Sequence, residues 1–195
     1  EAYRRLGEET GLALCASHGL QSVEEFQAMR EAGVTRYHAN LETSRRNFPN
    51  ICTTHTYEDK LENIRRAKSA GLEVCSGGIL GMGETWEDRI DMALDLSELG
   101  AVSIPLNLLT PIPGTPLEEA EPLTEGEVFR SVAIFRLLNP TAWIRMAAGR
   151  RRFAGGGRKL FRCGANAAIT GDMLTTTGTG IAGDRAMFAQ LGYEI

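Results

Sequence analysis

The sequence is short of cysteine, histidine and long apolar runs. Its 195 residues hold four cysteines and three histidines, and aromatics make up 7%. Cys15, Cys52, Cys75 and Cys163 stand far apart, with no CxxC pair. That excludes a zinc ribbon and a thioredoxin-like motif, which need closely paired thiols. The longest apolar stretch, Ala101–Leu109, is cut by Ser103, Pro105 and Asn107, so no membrane-spanning helix is expected. The first residue is Glu1 rather than Met, and no charged-then-apolar leader follows. Free thiols or dispersed metal ligands are then expected rather than disulfides, in a cytoplasmic setting. An excess of positive charge is also lacking. Lys and Arg number 21 against 25 Asp and Glu, a net charge of −4, which argues against nucleic acid as a partner.

What is present reads as a folded domain: 43% of the residues are hydrophobic and 24% charged. Four segments share one helix-start signature, a hydroxyl followed three residues on by an acid. They are Ser22/Glu25, Thr56/Asp59, Thr85/Asp88 and Thr124/Glu127. One-sided apolar spacing follows each. It runs through Phe26 and Met29, then Leu61, Ile64 and Ala67, then Ile90, Ala93 and Leu94, then Val128, Val132, Phe135 and Leu138. Gly33, Gly71 and Gly100 stop the first three helices, and Asn139-Pro140 stops the fourth. Strands are expected at Leu12–Ala16, Thr35–Leu41, Glu73–Ile79, Ser103–Leu109, Trp143–Ala147 and Asn166–Thr170. Strand and helix in alternation predict an α/β fold with a parallel sheet. The expectation is an incomplete (β/α) TIM-type barrel with about six of eight units, as one domain over residues 1–195; a doubly wound open sheet is the alternative.

A barrel builds its active site at the C-terminal ends of its strands. Read in order, the polar residues there are Cys15, then His38, Asn40 and Glu42, then Cys75, Asn107 and Arg145. Two soft thiols suit an iron–sulfur cluster, though buried cysteines are often only small packing residues. The loop from Ser76 to Glu84 is glycine-rich and leads into a capped helix. It is neither a Walker A loop nor a dinucleotide fingerprint, and tight turns account for it equally. His18 and His55 read as solvated, and Cys52 and Cys163 as structural. Trp86 and Trp143 read as packing residues. The basic stretch Arg150, Arg151, Arg152, Arg158, Lys159 and Arg162 reads as a solvated helix face, with an anion site as the sharper alternative. Gly155–Gly157 and Thr175–Gly180 read as mobile or ligand-facing.

Taken in order, several stretches resemble the biotin synthase family of radical S-adenosylmethionine enzymes. They are Tyr37-His38-Ala39-Asn40-Leu41-Glu42-Thr43-Ser44, Asn50-Ile51-Cys52-Thr53-Thr54-His55-Thr56-Tyr57 and Val74-Cys75 through Glu84-Thr85. Pro105-Leu106-Asn107, Gly114-Thr115-Pro116-Leu117, Ile144-Arg145 through Gly149-Arg150 and Gly164-Ala165-Asn166 continue the set. The resemblance spans nearly the whole chain. It implies cleavage of S-adenosylmethionine at a [4Fe–4S] cluster to give a 5′-deoxyadenosyl radical, which abstracts hydrogens from dethiobiotin. A [2Fe–2S] cluster then donates the sulfur of biotin.

The resemblance also implies roles. Cys15, Cys75 and Arg145 match three of the four [2Fe–2S] ligands. Asn40, Glu42, Lys60, Gly77, Gly78 and Ile79 match the S-adenosylmethionine site. His38, Asn107, Thr175 and Thr176 match dethiobiotin contacts. A flavodoxin or ferredoxin electron donor, a homodimer and a cytoplasmic location follow from the family, with no nucleic acid and no membrane as partners. The sequence departs from the family at several points. His38-Ala39 replaces Asn-His or His-His, Lys60 replaces an arginine, and Arg151 replaces an acid. The CxxxCxxC motif for the [4Fe–4S] cluster is absent from these residues. The chain is thus expected to hold the third to eighth βα units, to be inactive alone, and to be poorly soluble or unfolded alone because its open sheet edges invite aggregation. Two alternatives are another enzyme of the subgroup, of hydrogenase-maturation or methylornithine-synthase type, and a non-catalytic barrel fragment.

Overall fold

The computed structural model describes residues 1–172 and 178–194. The elements run α1 (Ala2–Thr10), β1 (Leu14–Ala16), α2 (Val23–Glu31), β2 (Val34–His38), α3 (Phe48–Ile51) and α4 (Tyr57–Ser69). There follow β3 (Glu73–Cys75), β4 (Gly78–Leu80), α5 (Trp86–Glu98), β5 (Ser103–Leu108) and α6 (Glu125–Leu138). The chain continues with β6 (Trp143–Met146), a 3-10 turn at Arg150–Arg152, α7 (Ala154–Arg162), β7 (Ala167–Ala168) and α8 (Ile181–Gln190). No helix among the described residues is long and apolar enough to cross a membrane.

The expected starts of α2, α4, α5 and α6 are all capping boxes. In each, the hydroxyl accepts the N–H of the acidic residue, and that carboxylate accepts the N–H of the capping residue. Such a cap contributes about 1 kcal/mol. At the other end of α4 and α5 the chain reverses through a left-handed glycine. Leu72 N–H reaches back to the Ala67 carbonyl at 3.1 Å, and Ala101 N–H to Leu96 at 3.1 Å. These bonds satisfy carbonyls that the helix itself leaves unpaired.

The sheet order is β1-β2-β3-β5-β6-β7, with β4 also paired to β5, and every pairing is parallel. Strand order follows chain order with no reversal. A doubly wound sheet requires a switch point, so this is the curled, open part of a (β/α) barrel. The convex face packs on the helices. Ile104, Leu106, Ile144 and Met146 are fully buried there against Val128, Val132 and Phe135 of α6. The concave face carries the alternate residues.

Several expectations shift. The strand expected at Glu73–Ile79 is two strands, broken at Ser76-Gly77. The last strand shrinks to Ala167–Ala168. In α5 the buried face is Met92, Ala93 and Leu96, while Ile90 and Leu94 are exposed. Trp143 is 52% exposed, because it alternates with Ile144 and so faces the open concave side. Arg150 is no part of a solvated face. It is 2% exposed and pairs with Asp184 of α8, at 2.9 Å through one nitrogen and 2.5 Å through the other. Arg150 also donates to the carbonyls of Gly156 and Ile169 and to the Thr179 hydroxyl. This one side chain ties the turn after β6 to α7, β7 and α8. Helix α1 had no sequence signal: its N-cap is Glu1 and no side chain caps it.

Two glycines set the break between β3 and β4 by close approach. A Cβ on Gly77 would lie 2.0 Å from the Pro105 carbonyl oxygen, and one on Gly78 would lie 2.5 Å from that of Glu42. Gly77→Ala is therefore expected to lower stability by about 3 kcal/mol. Gly126→Ala, inside α6 with nothing within 4 Å, is expected to raise it by about 0.5–1 kcal/mol. Urea midpoints of the two variants check this.

A pH response follows from the buried carboxylates. Burial alone would raise Asp184, but hydrogen bonds from Arg150 and Thr179 outweigh it and hold the carboxyl below its usual value. Asp88 is likewise held low, against burial, by Ser44, Thr85 and Arg46. A depressed folded pKa stabilises above the unfolded value of about 3.9 and loses that contribution as pH falls through the folded one. Stability is expected to be flat above about pH 5 and to fall in acid. Asp184→Asn is expected to lower the plateau and flatten the acid slope, read as the urea midpoint against pH.

Candidate functional site

The concave face collects charge and sulfur by strand register alone. Cys15 of β1 pairs with Arg36 of β2, which pairs with Glu73 of β3. One step further along, His38 pairs with Cys75, and Cys75 with Ser103. Arg145 of β6 lies between Pro105 and Ala167. Side chains two apart share a face, so all of these point to the open side. Arg36 and Glu73 form an ion pair at 2.7 Å there. That pair was missed in the sequence, although period-two spacing from His38 signals it.

Cys15 is exposed and Cys75 buried. Desolvation and the neighbouring Cys75 push the Cys15 thiol up, and the charges of Arg36 and Arg145 pull it back. The three expected cluster residues thus sense one another across the face. The Nε of Arg145 is buried with no partner. Two soft thiols and an N–H lacking an acceptor suit a group that carries inorganic sulfide, so the set fits a [2Fe–2S] cluster. Among the described residues no three His, Cys, Asp or Glu side chains form a metal site by themselves. Among the described residues no closely spaced set of thiols is present to hold a [4Fe–4S] cluster.

The second half of the face is built around the Gly77-Gly78 break. Asn40 Oδ1 accepts the Gly77 N–H at 3.1 Å, and its amide nitrogen lies 3.5 Å from Glu42. Glu42 bridges to Gly78: its N–H meets the Gly77 carbonyl at 3.2 Å and its carbonyl accepts Ile79 N–H at 2.8 Å. Held on both sides, Glu42 adopts φ 71°, the one non-glycine residue with positive φ among those described. Such backbone is costly and concentrates at functional sites. Burial raises the Glu42 carboxyl, while Lys60 and Asn40 act against it. Burial, then Lys60 and Arg145, lowers His38, which favours a neutral imidazole. Asn40, Glu42, Lys60 and the loop from Gly77 to Ile79 are therefore gathered at one end of the sheet.

The rest of the expected site is mixed. Asn107 gives one N–H to the Gly78 carbonyl at 3.3 Å and accepts Ala148 N–H at 3.2 Å, so much of its amide serves the scaffold. His38 contacts Cys75, its Nδ1 3.3 Å from Sγ. Thr175 and Thr176 lie outside the described residues. Glu84 was also missed. Its carboxylate accepts the N–H groups of Gly81 and Met82 at 2.8 and 2.7 Å, and Arg89 Nε donates to it at 2.9 Å. Both partners are buried, so this pair fixes the turn that follows β4. A cavity of about 630 Å³ lies elsewhere, beside Arg151, Gly155 and Asp184.

The sequence and the fold both match known proteins. Residues 1–96 match the Radical SAM superfamily, and residues 105–194 match the Biotin and Thiamin Synthesis associated domain. The biotin synthase of Clostridium beijerinckii is 58% identical over all of this chain and 62% of its own length. That of Akkermansia muciniphila is 59% identical over all of the chain and 60% of its own. The chain spans about three fifths of the length of these curated relatives. In fold, it resembles methylornithine synthase with TM-score 0.82 at 20% identity, covering 98% of this chain and 61% of that one. It also resembles the FeFe-hydrogenase maturase HydG from Carboxydothermus hydrogenoformans with TM-score 0.75 at 14% identity, covering 93% and 47%. Along its whole length the chain is therefore similar to part of a biotin synthase, with a Radical SAM match followed by a match to the Biotin and Thiamin Synthesis associated domain.

Proposed function

We propose that this chain carries the substrate-binding and sulfur-donating part of a biotin synthase, which inserts sulfur into dethiobiotin by S-adenosylmethionine radical chemistry. The observation that carries the reading is identity of 51–59% to biotin synthases along the whole chain. In this reading Cys15, Cys75 and Arg145 hold a [2Fe–2S] cluster. When bound, the cluster supplies the sulfur and S-adenosylmethionine supplies the hydrogen-abstracting radical. The residues of the chain bind and orient. Asn40 and Glu42 accept ribose hydroxyls, and Lys60 faces the amino acid carboxylate. The backbone of Gly77, Gly78 and Ile79 flanks the adenine. Asn107 and His38 border the dethiobiotin space, and Thr175 and Thr176 receive its carboxylate.

The proposal counts residues 1–195 as the third to eighth βα units of the barrel. It extends to a sulfurtransferase acting as a cytoplasmic homodimer, with an electron donor of flavodoxin or ferredoxin type. The four cysteines are free thiols, which suits a reducing compartment. A [4Fe–4S] cluster belongs to the same reading, held by residues other than these.

Two measurements test it on the cluster-loaded enzyme carrying this chain. Cys15→Ala or Cys75→Ala is expected to remove the visible absorbance of the [2Fe–2S] centre and abolish biotin formation. Unchanged spectra in both variants would refute the ligand assignment. Lys60→Ala is expected to raise the KM for S-adenosylmethionine about tenfold, the loss of about 1.4 kcal/mol of binding, with Lys60→Arg near the native value. An unchanged KM in Lys60→Ala would remove Lys60 from the site.

A further inference from the structure

The contact between His38 and Cys75 has a chemistry of its own. The two residues are register partners on adjacent parallel strands, and both side chains face the concave side. The next residue locks the pairing, since Ala39 N–H donates to the Cys75 carbonyl at 3.0 Å. With the backbones fixed, the imidazole lies across the thiol, Nδ1 to Sγ at 3.3 Å. This is well inside reach for a hydrogen bond to sulfur. His38 is half-buried, so water competes poorly for that nitrogen.

We propose that His38 is a positioning residue for the second cluster, donating its Nδ1–H to the sulfur of Cys75. The inference rests on the reading of Cys75 as a cluster ligand, and it departs from the substrate contact that family resemblance assigns to His38. A ligating thiolate carries no proton, so its sulfur can only accept. The imidazole must then hold its proton on Nδ1, leaving Nε2 as an acceptor. A hydrogen bond to a ligating sulfur draws charge from the cluster and favours its reduced, more negative form. It also fixes the direction from which the sulfur meets iron, as outer partners of metal ligands do. Arg145, whose charge reaches the same imidazole, adds to the positive surroundings.

The test uses the cluster-loaded enzyme carrying this chain, with His38→Leu, His38→Gln and Cys75→Ala beside the native protein. Far-UV circular dichroism checks the fold, visible absorption reports the [2Fe–2S] centre, and a dye-mediated titration gives its one-electron potential. His38→Leu is expected to keep the absorbance but reduce about tenfold less favourably, a negative shift of about 59 mV. His38→Gln, which keeps an N–H, is expected to recover part of that shift. An unchanged potential in His38→Leu, with the dethiobiotin KM raised instead, overturns the inference and returns His38 to the substrate. Loss of the centre in both His38 variants overturns it in favour of direct ligation. Cys75→Ala with its absorbance intact defeats the underlying reading, a result distinct from either.

Discussion

One backbone contact holds the concave face together, the approach of the Gly77-Gly78 segment to the chain on either side. Pro105 lies so close to Gly77, and Glu42 to Gly78, that no side chain fits between. From that contact follow the break between β3 and β4, the bridge from Glu42 to Gly78, and the left-handed backbone of Glu42. At the same break Asn40 accepts the Gly77 N–H, and both glycines are buried. A Cβ at Gly77 would force the chain away from Pro105 of β5, and one at Gly78 would force it away from Glu42 and Met92.

The electrostatic design divides along the same line. Toward one end lie acceptors, Asn40 and a half-buried Glu42, balanced by the charge of Lys60. Toward the other lie thiols and guanidinium groups, Cys15 and Cys75 with Arg36 and Arg145. His38 stands between them, within electrostatic reach of Lys60 and Arg145 and in contact with the buried thiol. The curvature of the sheet lets side chains from strands as distant as β1 and β6 influence one another.

Much of this was legible in the sequence, because the signals are local. A hydroxyl and an acid three residues apart define a cap wherever they occur, and all four such pairs start helices. Polar residues at the ends of apolar runs marked Cys15, His38, Cys75, Asn107 and Arg145 for the concave face. What escaped depends on partners far along the chain. Arg150 looks like one more surface arginine until Asp184, on a helix 34 residues away, neutralises it. Trp143 reads as a packing residue, yet strand alternation turns it to the open side. No residue pattern marks a glutamate for positive φ, since the strain at Glu42 is imposed by the strand beside it.

The unbroken agreement between strand order and chain order also bears on how the protein comes to be folded. Apart from β4, which waits for β5, each strand pairs with the strand before it in the sheet order. The register partners Arg36 and Glu73 are separated by α3 and α4 with their loops, and Pro105 and Arg145 by α6 alone. No strand has to wait for a partner from the far end of the molecule, so the sheet can be laid down progressively as the chain leaves the ribosome. The thiol of Cys75 would then be seated beside His38 before Arg145 has been synthesised. The two strands that hold sulfur would form a scaffold onto which the later basic residues close.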